Sequence, residues 1–118
     1  MKIRNLPLGA SYPSRGSVQA IVDTGYDGFL LVPRHVFEAL SLDEMVTRTM
    51  KIEVPDGRTV ESTVAYATVE FEDAKREVDG PVETMDGLEE VLAGTRMLCK
   101  FKLTLDYCLR VISVRPCV

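Results

Sequence analysis

Asp23 is the residue that most constrains this chain. It lies between two apolar runs, Ala20-Ile21-Val22 before it and Phe29-Leu30-Leu31-Val32 shortly after. Runs of that kind become buried strands, and a carboxylate beside a buried strand is costly unless it is hydrogen-bonded or has a task. The next two residues offer a way to meet that cost. The Thr24 hydroxyl can tie neighbouring backbone, and Gly25 lets backbone or ligand come close to the carboxylate. Whatever the fold, it has to place this carboxylate where its charge is satisfied or used.

Pro, Gly and Asp punctuate the rest of the chain at short intervals, and the segments between them are rich in β-branched residues. Ser17 to Val22 reads as a strand running into the Asp23 turn, and Phe29 to Val32 as a short buried strand. Pro33 opens a helix at its first position, with Val36, Phe37, Leu40 and Leu42 as its apolar face. Thr49 to Val54 alternates as a strand, and Pro55-Asp56-Gly57-Arg58 is a hairpin turn. Val60 to Phe71 is a long strand, with Val60, Val64, Tyr66, Val69 and Phe71 as its larger apolar residues. Glu72 to Lys75 is a charged turn. Arg76 to Glu83 reads as a strand broken at Asp79-Gly80-Pro81, and Asp86-Gly87 as a further turn. Thr95 to Phe101 reads as a short helix capped by Thr95. Leu103 to Tyr107 and Leu109 to Val114 close the chain as strands. The sum is an all-β, barrel-like domain with one or two short helices.

At 118 residues the chain is expected to form a single domain, 1–118, with no room for two. A net charge of -4 and the absence of any Lys/Arg stripe argue against nucleic acid or an anionic membrane as partner. Met1 to Ser17 has no apolar core and carries Lys2, Arg4 and Arg15, so no signal peptide is expected. No apolar run is long enough to span a bilayer. A soluble cytoplasmic protein is the expectation. Cys99, Cys108 and Cys117 form no Cys-x-x-Cys pair, and His35 is the one histidine, so neither a zinc site nor any other cofactor is expected. The cysteines read as reduced packing residues, mostly buried, with Cys117 the one exposed. His35 reads as a helix-surface or capping residue. The acidic groups Asp86, Glu89, Glu90 and Asp43-Glu44 read as solvated surface.

The order of these parts resembles the retropepsin family, the retroviral-type aspartic proteases, from Ser17 to Val114. Two anchors carry the resemblance: Asp23-Thr24-Gly25 in apolar flanks, and Leu92-Ala93-Gly94 followed by a short helix with Met97-Leu98. The stretch from Asp23 through Tyr26-Asp27-Gly28 to Pro33 is similar to small bacterial and archaeal proteins of this clan. There are departures. Ala93 stands where the family usually has Ile or Leu. Thr95 and Arg96 follow the glycine, where Asp or Asn is common. Retroviral members place an ion-pairing Arg near here, and Arg96 lies one residue further on. The hairpin turn has one glycine, Gly57, fewer than retroviral flaps carry.

The resemblance implies a closed β-barrel with a flap hairpin, active only as an obligate homodimer. Hydrolysis by such an enzyme needs two carboxylates sharing one proton around a water. This chain has one Asp-Thr-Gly, so the second carboxylate would be Asp23 of a two-fold-related copy. Asp23, Thr24 and Gly25 would be the catalytic residues, with Thr24 bracing the pair across the dimer. Asp27 is either a carboxylate receiving substrate N–H groups or a plain turn residue before Gly28. Pro55, Asp56 and Gly57 form either a flap over an extended peptide or a plain surface hairpin. The strand with Leu109, Val111, Ile112 and Val114 would serve the dimer. The expected activity is endopeptidase hydrolysis of peptide or protein substrates. The alternative is a catalytically silent peptide-binding or dimerisation module of the same fold.

Overall fold

A computed structural model describes residues 1–45, 48–53, 55–71 and 75–117. Among these described residues, ten strands, two short helices and one 3-10 turn follow in chain order. They are β1 (Lys2–Asn5), β2 (Ala10–Tyr12), β3 (Ile21–Val22), β4 (Leu30–Val32), α1 (Arg34–Ala39), the 3-10 turn Leu42–Glu44 and β5 (Arg48–Glu53). Then come β6 (Thr59–Phe71), β7 (Arg76–Thr84), β8 (Leu92–Ala93), α2 (Thr95–Leu98), β9 (Phe101–Asp106) and β10 (Val111–Pro116). The protein is an all-β domain with short helices, as the sequence implies.

One curled, half-barrel sheet runs in the order β2-β1-β6-β7-β4-β8-β3, with β5 paired to β6 beside this path. Most pairings are antiparallel, but β4–β7 and β3–β8 are parallel. No strand pairing among the described residues joins the two ends of the path. Two backbone hydrogen bonds between Met1 and Val18 tie the chain ahead of β3 to the start of β1. β9 and β10 form a separate two-stranded sheet in the register Leu105↔Ile112. It is anchored where Phe101 meets Phe71 edge to face, with ring centroids 4.7 Å apart.

The core lies inside the curl. Phe29, Leu30 and Val32 from the β4 region meet Val36 and Phe37 of α1, Leu40 at its C-cap, Ile3 of β1, Val69 of β6, Val82 of β7 and Met97 of α2. Each such side chain contributes about 1.5–3 kcal/mol by leaving water. α1 follows from its apolar spacing: Val36, Phe37 and Leu40 share one face. Its end is fixed from a distance, because buried Asn5 donates from Nδ2 to the Leu40 carbonyl at 2.9 Å. On β6 alternation decides the faces. Ala65, Ala67 and Val69 point into the core, whereas Tyr66, between them, is 67% exposed.

Several local expectations are corrected. Lys2–Asn5 and Ala10–Tyr12 are strands that the sequence reading did not place. Their polar alternation hides a single buried anchor pair, Ile3 and Asn5. The strand expected from Ser17 shortens to Ile21–Val22, the residues that ladder with β8, while Val18 bonds to Met1. Pro33 stands one place ahead of the helix, as its N-cap. β7 runs unbroken through Asp79-Gly80-Pro81. Gly80 is needed there because a Cβ would lie 2.5 Å from the Phe29 ring. α2 ends at Leu98, and Gly94 rather than Thr95 is its N-cap. All three cysteines are exposed. The expected turn at Glu72 to Lys75 lies, up to Ala74, outside the described residues, as does Val54.

Gly80→Ala is expected to destabilise the fold by about 2 kcal/mol through overpacking against Phe29, measured by urea unfolding. An unchanged midpoint would show that the ring moves aside freely.

Candidate functional site

β3 and β4 are consecutive in the chain but not neighbours in the sheet, because β8 lies between them. The segment that joins them carries Asp23 and must cross the end of β8. Its first residue is fixed by β8 itself: the Asp23 N–H donates to the Ala93 carbonyl at 3.0 Å. The Asp23 carbonyl accepts the Tyr26 N–H at 3.2 Å, which closes a tight turn over Thr24 and Gly25. Inside that turn Asp23 Oδ1 accepts the Gly25 N–H at 3.0 Å. The carboxylate is thus half-buried and held by a backbone amide. Thr24 is exposed, and its hydroxyl makes no hydrogen bond within the chain among the described residues.

The far side of the crossing is locked by three consecutive amides at the start of α2. Gly94, Thr95 and Arg96 donate to the carbonyls of Phe29, Tyr26 and Gly28 at 3.0, 2.9 and 3.1 Å. The Thr95 hydroxyl adds a longer bond to the Tyr26 carbonyl at 3.4 Å. Gly94 leaves no room for a side chain: a Cβ would lie 2.2 Å from the Gly28 carbonyl oxygen. The two sequence anchors, Asp23-Thr24-Gly25 and Leu92-Ala93-Gly94, therefore meet in space.

Tyr26 is a site residue that sequence reasoning missed. Its ring lies across Gly28 and Gly94, so that a Cβ on Gly28 would fall 2.2 Å from its hydroxyl oxygen. The hydroxyl donates to Glu83 Oε1 at 2.9 Å. The Ser62 hydroxyl donates to the other oxygen, Oε2, at 3.2 Å. Burial of Tyr26, reinforced by the Glu83 carboxylate and then Asp27, pushes its phenol well above the ordinary value of 10.0. The one signal in the sequence was a large aromatic set among turn residues, between Gly25 and Gly28. Nothing local pointed to Glu83 or Ser62.

Asp27 is exposed beside this loop and Gly28 is half-buried. Pro55, Asp56 and Gly57 form the exposed tip of the β5–β6 hairpin. Gly57 has φ of +86°, which favours glycine. Asp56 accepts the Arg58 N–H at 3.0 Å and pairs with the Arg58 guanidinium, so its carboxylate serves the turn. β7 pairs with β6 only from Thr63 onward, so the hairpin from Ser62 to its tip is paired with β5 alone. Among the described residues no hydrogen bond or ion pair links this tip to the Asp23 loop. Asp86, read as solvated surface, is exposed and paired with Arg34 at 2.8 Å. His35 is exposed and packs edge to face on Tyr12. Among the described residues no three of His, Cys, Asp and Glu converge enough to hold a metal ion, and no helix is long and apolar enough to cross a membrane.

An uncharacterized protein of Archaeoglobus fulgidus is 42% identical over 115 residues, covering 98% of this chain and 90% of that protein. No family model and no solved structure matches the chain.

Two outcomes test this geometry. Gly94→Ala is expected to cost about 3 kcal/mol, because backbone must move, whereas Gly25→Ala should cost under about 1 kcal/mol. The Gly25 Cβ meets only the Asp23 carboxylate, at 3.3 Å. Equal losses in urea unfolding would mean that Gly94 is not the tight point. Tyr26→Phe is expected to lose about 1 kcal/mol at neutral pH. Because the folded-state value of Tyr26 is raised, its contribution is complete below the unfolded value and fades as pH climbs past it. The stability gap between wild type and variant should therefore shrink between about pH 9 and 11. A constant gap would place the phenol in a different environment.

Proposed function

The chain belongs to one family with the Archaeoglobus fulgidus protein, and we propose that it is a retropepsin-like aspartic endopeptidase acting as a homodimer. The observation that carries this reading is the state of Asp23. Its backbone is pinned on β8, its carboxylate is half-buried, and among the described residues only one donor, the Gly25 N–H, occupies it. An ionised carboxylate can accept about four hydrogen bonds. The remaining capacity suits a water and a second carboxylate.

In this reading two Asp23 side chains meet on a two-fold axis and hold one proton between them. The unprotonated member takes a proton from the water, and the oxygen adds to the peptide carbonyl carbon. The protonated member gives its proton to the carbonyl oxygen. The tetrahedral adduct then collapses as the C–N bond breaks: the leaving nitrogen takes the proton held by one member of the pair, and a hydroxyl of the adduct returns its proton to the other as the C=O re-forms. The exposed Thr24 hydroxyl is free to brace the partner's loop. Asp27 would receive substrate N–H groups, and the β5–β6 hairpin with Pro55, Asp56 and Gly57 would close over the peptide and exclude water. Gly28 lets Tyr26 fold back beneath the substrate. The barrel of this family would be completed by the Met1–Val18 tie. Leu105, Tyr107, Leu109 and Ile112 expose apolar surface on the β9–β10 hairpin and suit a dimer contact. Three exposed, unpaired thiols fit a reducing compartment, the cytoplasm.

The test combines light scattering with cleavage of a peptide library from acidic to neutral pH. A dimer at micromolar concentration is expected, and Asp23→Asn should lose at least about a hundredfold in kcat/KM. Equal activity in both proteins would remove Asp23 as the catalyst. A stable dimer that binds peptides and cleaves none would favour the silent module.

A further inference from the structure

Glu83 is the one carboxylate in the described chain that joins two functional segments. Tyr26, three residues past Asp23, donates to its Oε1, and Ser62 donates to its Oε2. Glu83 stands opposite Val64 in the β6–β7 ladder, and the last pair of that ladder is Thr63↔Thr84. Ser62 is thus the first β6 residue beyond the support of β7, at the root of the projecting β5–β6 hairpin. It is also fully buried, at 0% exposure. A buried hydroxyl at a hinge would be costly without an acceptor, and Glu83 supplies it. On the other side, Tyr26 cannot shift freely, because its ring is wedged over Gly28 and Gly94.

We propose that Glu83 is a positioning residue that couples the Asp23 loop to the root of the β5–β6 hairpin through Tyr26 and Ser62. One carboxylate then sets both the loop and the hinge of the hairpin. A hairpin displacement that pulls Ser62 from Glu83 also loosens the hold on Tyr26, so closure of the hairpin and ordering of the loop occur together. The functional meaning rests on the endopeptidase reading, in which the hairpin covers Asp23. The link itself is a property of the folded chain and is measurable without turnover.

The experiment is amide hydrogen exchange on Tyr26→Phe, Ser62→Ala and Glu83→Gln, with Ile3→Val on the far strand β1 as a control for general loosening. Tyr26→Phe should speed exchange in residues 59–62 about fivefold, the effect of one lost hydrogen bond. Ser62→Ala should do the same at Gly25 and Tyr26. Glu83→Gln should loosen both segments, and the double variant Tyr26→Phe/Ser62→Ala should add little beyond it. Changes confined to the mutated side, or equal changes in Ile3→Val, would overturn the coupling. Cross-effects in a protein that cleaves no peptide would uphold the link and sink the endopeptidase reading. Cleavage without cross-effects would do the reverse.

Discussion

Three amides at the start of α2 hold the architecture of the site together. Gly94, Thr95 and Arg96 take the carbonyls of Phe29, Tyr26 and Gly28, which satisfies three acceptors on the far side of the crossing between β3 and β4. The crossing is an unusual demand. Two strands that follow each other directly are separated by a strand from the far end of the chain, so their connection must pass over that strand's end. A loop in that position has no ladder of its own, and the α2 amides replace one. Gly94 makes the approach close enough, because any Cβ there meets the Gly28 carbonyl.

The two carboxylates near this crossing are handled in opposite ways. Glu83 has both oxygens taken by hydroxyl donors from separate segments, and its geometry is closed. Among the described residues Asp23 has a single short-range donor, from its own turn, and its geometry is open. A fully satisfied carboxylate rigidifies its surroundings, whereas Asp23 keeps lone pairs that no donor among the described residues occupies. The raised titration of Tyr26 follows from the same arrangement: a buried phenol beside a carboxylate keeps its proton.

β6 links the remaining parts. Its first residues pair only with β5, its middle with β5 and β7, and its end with β7 and β1. One strand therefore passes from an exposed hairpin to the sheet's buried centre. The change of environment falls at Ser62 and Thr63, which is why a polar side chain is buried there.

What the sequence by itself determined was local. Asp23-Thr24-Gly25 after an apolar run placed a carboxylate at a strand end, Asp56-Gly57 and Asp86-Gly87 made turns, and the Val36-Phe37-Leu40 spacing made the face of α1. These follow from dihedral preference and periodicity over a few residues. Only the tertiary structure decided that β8 separates β3 from β4, that Ile3 and Asn5 belong to the core, and that Tyr66 and the three cysteines face outward. It also brought Tyr26 to Glu83, 57 residues away, and the Thr95 hydroxyl to the Tyr26 carbonyl across 69 residues. Contacts at such separations depend on which strands pair and in what register. A shift of one residue turns every side chain to the other face, and no short stretch of sequence carries that information.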